Sequence, residues 1–137
     1  MTPEEFVAAL HKVVYTAAVD GTIADLRDGP SGRGPSARSI ALHEWYEALS
    51  LNDQRIVAEI VRGAAHAAVF QFLCVLDGVV AIDDPPHAEL RLTAVNPDGR
   101  ADLLNEDPSL EDLHDRFNGL VHPPSEDWPS DARSAEA

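Results

Sequence analysis

The sequence is poor in cysteine and in lysine, and each shortage narrows the possible classes of protein. Among 137 residues there is one cysteine, Cys74, so no internal disulfide can form and a reducing compartment is favoured. Cys74 lies in the apolar run AAVFQFLCVL and is interpreted as a small buried hydrophobe rather than a nucleophile. The single lysine, Lys12, stands against nine arginines, which favours a bias in the coding sequence rather than a function.

Long uncharged segments are also missing. The longest runs from residue 63 to residue 76, shorter than the roughly 20 apolar residues that a membrane span needs. The opening segment MTPEEFVAALHK is acidic and lacks the order of a signal peptide. We therefore expect a cytoplasmic protein without membrane association.

Basic residues are scarce, and the excess of acid is unevenly placed. The formal charge is −14: residues 1–76 hold nine acidic and six basic residues, whereas residues 77–137 hold fifteen and four. Such a field repels nucleic acid, so we expect no direct nucleic-acid binding, and a basic protein is the complementary partner. Acidity that serves solubility alone is an equally good interpretation.

Apolar spacing and capping residues predict helices in the first half of the chain. Thr2, Pro3 and Glu5 form a capping box that begins a helix reaching about residue 19, where Asp20 and Gly21 end it. Residues 28–36 are rich in glycine and proline and predict a loop, followed by a helix over residues 37–49. The predicted inner side of the first helix contains Phe6, Leu10, Val13, Val14 and Ala17, with His11 and Tyr15 on its other side.

The third predicted helix is the longest. Ser50 and Asp53 give its capping signal, and residues 67–76 are apolar nearly all round, so this end is predicted to form the core. Its polar stripe is predicted to contain Asn52, Arg55, Glu59, Arg62 and His66, and its inward side Ile56, Val57, Ile60, Val61 and Ala64.

The remaining residues predict a small antiparallel sheet and a last helix. Asp77 and Gly78 are read as a helix C-cap, with a hairpin turn as the alternative. Residues 90–94 and 101–103 alternate around an NPDG turn and predict a hairpin, with residues 79–82 as a possible third strand. Asp107 and Pro108 predict the start of the last helix.

Together these elements predict an α+β fold. Three N-terminal helices pack with the hairpin and a C-terminal helix in a single domain over residues 1–120, and an acidic disordered tail covers residues 121–137.

Arg38 and His43 are the candidate catalytic residues. The motif RSIALH resembles the active motif of the helical HEPN ribonucleases, which implies that His43 would act on the ribose hydroxyl or leaving group while Arg38 stabilises phosphate charge. A five-residue step places the two side chains about 140° apart on a helix. Ser39 also departs from the polar amide or acid usual after the arginine. We therefore expect no catalytic site here. The alternative function is a small hydrolase, either an HEPN-like ribonuclease that uses Arg38 and His43 or a metal-dependent enzyme that uses the histidines.

Histidines supply candidate metal ligands. His11, His43 and His66 with a carboxylate could form a mononuclear site, His43 and Glu47 are one helical turn apart, and Glu111 with His114 forms a single Glu-x-x-His pair. A carboxylate-bridged two-metal bundle needs two such pairs. We therefore expect histidines satisfied by protein or solvent, and no cofactor.

Exposed acids on the last helix are the candidate partner-binding residues. Glu111, Asp112 and Asp115 are predicted to point outward, and Trp45 with Tyr46 forms a possible aromatic hot spot. The leading hypothesis is a non-catalytic module that binds a basic protein, such as an immunity protein, an antitoxin or an accessory subunit. Contribution of the third helix to an obligate oligomer is a further alternative.

Overall fold

The computed structural model describes residues 1–105 and 111–121, and these residues form an α+β fold. The helices are α1 (Pro3–Leu10), a π-helical segment (His11–Thr16), α2 (Ala17–Asp28), α3 (Ala37–Glu47), α4 (Leu51–Leu76) and α5 (Leu113–Leu120). Strands β1 (Thr93–Val95) and β2 (Ala101–Leu103) pair antiparallel.

Local capping confirms two of the predicted helix starts. The Thr2 hydroxyl accepts from the Glu5 amide while the Glu5 carboxylate accepts from the Thr2 amide, which completes the capping box. Ser50 accepts from the Asp53 amide in the same way before α4. These side chains satisfy backbone donors that have no partner inside the helix.

The first helix continues past its predicted end, and its inward face differs from the prediction. Gly21 lies inside α2, which reaches Asp28. The π-helical segment places an extra residue in one turn, which shifts the inward face by about 100°, or one position along the chain. Tyr15 therefore packs on the core in place of Val14, which is exposed.

Two compact units divide the described residues: residues 1–17 with 65–121, and residues 18–64. In the first unit, the core is formed by side chains from α1, α4 and α5, namely Val7, Leu73, Leu113 and Phe117. Their burial removes apolar surface from water and is the main stabilising contribution in this unit. In the second unit, Val19 and Tyr46 are buried.

Helix α4 is less enclosed than its composition predicts. Leu73 and Cys74 are buried as predicted, whereas Phe72 on the opposite side is 58% exposed. Ile60, predicted to point inward, is also exposed. A helix that is apolar all round does not specify which of its sides packs, so the contacts of the rest of the chain decide it.

By length and composition α4 could cross a membrane. An 18-residue window has a mean hydropathy of 1.4, and 6% of that window is buried. One such helix is weak evidence for a membrane span, because core helices of soluble proteins, which are mostly buried, and signal sequences meet the same length and composition criteria.

The hairpin is shorter than predicted. Thr93 pairs with Leu103 and Val95 with Ala101, and Gly99 adopts a positive φ of 83° in the connecting turn. Residues 79–82 form no strand, so the predicted third strand is wrong.

Two side chains fix the hairpin region. The amine of Met1 and the side-chain amide of Asn96 donate to the Asp102 carboxylate and lower its pKa to about 2. Asn105 accepts from the Leu92 amide at 2.7 Å and donates to two backbone carbonyls, those of Leu76 and Leu90.

The last helix begins at Leu113, with Asp112 as its N-cap residue. The predicted start at Asp107 and Pro108, and the predicted tail after Val121, lie outside the described residues.

Candidate functional site

A buried carboxylate and a histidine form the most enclosed polar pair in the described chain. Asp77 follows the last residue of α4, and its side chain is 2% exposed. It accepts the backbone N–H of His114 at 2.9 Å and bonds the ring Nδ1 of His114 at 2.7 Å. These contacts hold the imidazole in one orientation and also cap the start of α5.

The other ring nitrogen of His114 faces the acidic start of α5. Its Nε2 lies 3.6 Å from a carboxylate oxygen of Asp115. One oxygen of Asp112, one of Asp115 and a ring nitrogen of His114 all lie within 4.8 Å of one another. Because Asp77 occupies Nδ1, Nε2 is the nitrogen left for a ligand.

Aromatic rings cluster around Phe117 of α5. Phe117 is packed by the rings of His11, Tyr15 and His66, with centroids 5.6 to 6.2 Å away. His66 stacks on Phe117 with an interplanar angle of 14°, and its Nε2 lies 3.2 Å from Asn118 Oδ1. His66, predicted to belong to the polar stripe of the third helix, is partly buried, with its ring against Phe117 of the core.

Three of the histidines predicted as metal ligands lie in one unit, but they do not form a common group with metal-binding spacing. His11 and His66 meet across Phe117, and the His114 ring meets Phe70 edge-on. Among residues 1–105 and 111–121, the group with metal-binding spacing contains His114 with two aspartates and no second histidine.

His43 and Glu47 belong to the other unit. His43 Nδ1 bonds the Leu26 carbonyl at 2.8 Å, and Nε2 lies 3.5 Å from the Glu47 carboxylate. Arg38 is exposed, and no hydrogen bond or ion pair joins it to His43 in the part of the chain that the structure describes. The hydrogen bond of His43 therefore links α3 to the last turns of α2.

The predicted aromatic hot spot is split. Trp45 is half-exposed, whereas Tyr46 is 6% exposed and its carbonyl accepts from the Gln54 side chain at 3.1 Å. Trp45 is thus the ring of this pair that a partner can reach.

The side chain of Cys74 is buried, close to the carboxylates of Asp77, Asp112 and Asp115. Burial raises the pKa of its thiol, and the negative charges of Asp77, Asp115 and Asp112 raise it further. A thiol with a raised pKa in an apolar site is a poor nucleophile.

A cavity of about 210 Å³ opens beside Asp77. Its wall includes Val80, Ile82 and Leu90 together with the polar side chains of Asp83 and Asn105. The Asp83 carboxylate accepts a hydrogen bond from the Ala88 amide at 2.9 Å, and the Asn105 side chain is hydrogen-bonded to backbone groups, as described above. These polar side chains therefore stabilise the backbone that lines the cavity.

Sequence reasoning missed Asp77 as a partner of His114. An aspartate before glycine at a helix end is an ordinary C-cap signal, and its contact lies 37 residues further along the chain.

Comparison with known protein families, with characterised proteins and with solved structures finds no match.

Proposed function

We propose that the protein is a non-catalytic binding module that holds a basic protein partner through the acidic start of α5. The partner-binding residues are Glu111, Asp112 and Asp115, and the module is of the immunity-protein, antitoxin or accessory-subunit type. Its location is cytoplasmic. The observation that carries the proposal is the joint exposure of these three carboxylates within one turn of chain.

The charges nearby compensate this acidic surface only in part. Arg116, the basic residue next to it, lies 2.6 Å from Glu4 and donates its Nε to the Glu111 carbonyl. Within the described residues, the one ion pair that reaches the three carboxylates is that of Asp115 with His114. Their negative field therefore extends into solvent and is available to attract a cationic surface.

A charge reversal tests this proposal. The variant Glu111→Lys, Asp112→Lys, Asp115→Lys is compared with the parent and with a control, Asp20→Lys, Asp25→Lys, Glu44→Lys, which changes net charge equally at exposed positions of the other unit. The parent first captures its partner from an extract of the native host, and the partner is then purified for measurement of association rates in the presence of a chelator.

The α5 reversal should slow association by on the order of tenfold or more at low salt, and the control should slow it much less. The difference should shrink at physiological ionic strength, where the screening length is about 8 Å. Equal slowing by both variants would show a net-charge effect alone. Unchanged association of a folded α5 reversal, verified by circular dichroism, would remove the basis of the proposal.

One observation favours a second candidate, a subunit of an oligomer. In the first unit, α4 exposes Phe72 and, one helical turn before it, Ala68, apolar side chains that a contact between subunits would cover. Light scattering after gel filtration should then give a mass above 14.8 kDa, and Phe72→Glu should restore the monomer. A monomeric parent across the micromolar range would exclude this candidate.

A further inference from the structure

The side chain of His114 has the surroundings that are typical of a metal-binding histidine. The residue is 9% exposed, its Nδ1 is bound by the buried Asp77 carboxylate, and its Nε2 lies 3.6 Å from a carboxylate oxygen of Asp115. Histidines that bind metals almost always donate the second ring N–H to a carboxylate or carbonyl, which fixes the tautomer and strengthens the ligand. Within the described residues no hydrogen bond occupies Nε2.

Asp112 can act as a metal ligand because another carboxylate, that of Asp77, caps the helix in its place. An aspartate at an N-cap ordinarily accepts backbone amides of the first helical turn. Here the side chain of Asp112 makes no capping bond, and the Asp77 carboxylate accepts the His114 amide instead. The Asp112 carboxylate therefore remains available beside His114 and Asp115.

The distances fit a single cation. Ligand atoms around tetrahedral Zn²⁺, at metal distances of about 2.0–2.2 Å, lie about 3.4 Å from one another. The His114 Nε2 to Asp115 oxygen distance is 3.6 Å, and the whole group lies within 4.8 Å. The ideal separation of about 3.4 Å is at most about 1.4 Å shorter than these distances, a difference that rotation of the two exposed aspartate side chains would close.

We propose that Asp112, His114 and Asp115 bind a divalent transition-metal ion, with Asp77 as the residue that positions His114. One imidazole with two carboxylates suits Zn²⁺ and Mn²⁺ better than Mg²⁺ or Ca²⁺, which take oxygen ligands only. Three protein ligands leave a coordination position for water or for a ligand atom from another molecule. Metal binding needs no protein partner, but it uses the carboxylates of Asp112 and Asp115 that the proposed function assigns to a partner, so a bound ion would neutralise part of that acidic surface.

Calorimetric titration of the full chain, freed of any histidine tag, tests the site. Zn²⁺ is titrated at neutral pH in 150 mM NaCl with excess Mg²⁺, which removes binding that depends on charge alone. We expect one ion per chain with a Kd below about 10 μM. Co²⁺ as a second probe should give the intense visible absorption of a tetrahedral site.

Matched variants separate ligation from general acidity. Asp115→Asn and Asp112→Asn should each weaken Zn²⁺ binding tenfold or more, and asparagine still serves as an N-cap at position 112. Glu111→Gln removes the same charge next to the site but no ligand, and should change the Kd by less than about threefold. Asp77→Asn should weaken binding by about 10- to 100-fold through the orientation of His114.

Circular dichroism of each variant keeps loss of folding apart from loss of a ligand. Absence of stoichiometric Zn²⁺ binding to the folded parent would overturn the proposal. Equal weakening by Glu111→Gln and Asp115→Asn would also overturn it, because that result would describe an acidic surface rather than a coordination site.

Discussion

Phe117 and Phe72 provide a matched pair of truncations within one unit. Phe117 is 0% exposed and is enclosed by Val7, Leu73 and Leu113, whereas Phe72 is 58% exposed on the outer side of α4. Both substitutions, Phe117→Ala and Phe72→Ala, remove the same atoms. The two losses in free energy of unfolding should therefore differ only because the surroundings of the two rings differ.

The magnitudes follow from burial. Truncation of a fully buried phenylalanine costs about 3–5 kcal/mol, because the ring loses its transfer free energy and leaves a cavity. With less than half of its surface covered and better helix propensity for alanine, Phe72→Ala should cost about 1 kcal/mol or less. At a urea dependence of about 2 kcal/mol per molar, the midpoint should fall by about 2 M for Phe117→Ala and by at most about 0.5 M for Phe72→Ala.

Urea denaturation followed by far-ultraviolet circular dichroism measures both shifts, at a protein concentration where gel filtration gives a monomer. If Phe117→Ala is too unstable to purify, Phe117→Leu keeps most of the volume and should lower the midpoint by about 0.5–1 M. Equal losses for the two alanine variants, independent of protein concentration, would refute the reasoning, since they would show that both sides of α4 are enclosed within one chain.

Three further predictions concern individual side chains. Asn105→Ala should destabilise the protein by about 2–3 kcal/mol in the same assay, because the Leu92 amide and two carbonyls lose their partner; a loss below about 0.5 kcal/mol would contradict these bonds. Cys74 should react with a thiol reagent at pH 8 at least about tenfold more slowly in the native protein than in denaturant, because its side chain is buried from the reagent and burial also raises its pKa; equal rates would show that the thiol is accessible. Arg38→Ala with His43→Ala should leave any activity on RNA unchanged, and cleavage by the parent that both single variants lose would establish the hydrolase alternative.

Capping residues determined two helix starts without help from the rest of the fold. The bonds of Thr2 with Glu5 and of Ser50 with Asp53 span three residues, so the sequence alone contains both partners. The NPDG turn and the alternation around it predicted the hairpin for the same reason. Local contacts of this kind were enough to predict the α+β class.

Tertiary structure decided which faces pack and which polar groups meet. The π-helical segment changed the inward side of the first helix from Val14 to Tyr15, and no local pattern marks that shift. Composition made both sides of α4 apolar, and only the positions of α1 and α5 buried Leu73 while leaving Phe72 exposed. The candidate site joins Asp77 to His114 across 37 residues of chain. Such a pair forms because folding brings distant elements together, so the chemistry of each residue can be read from the sequence while their proximity cannot.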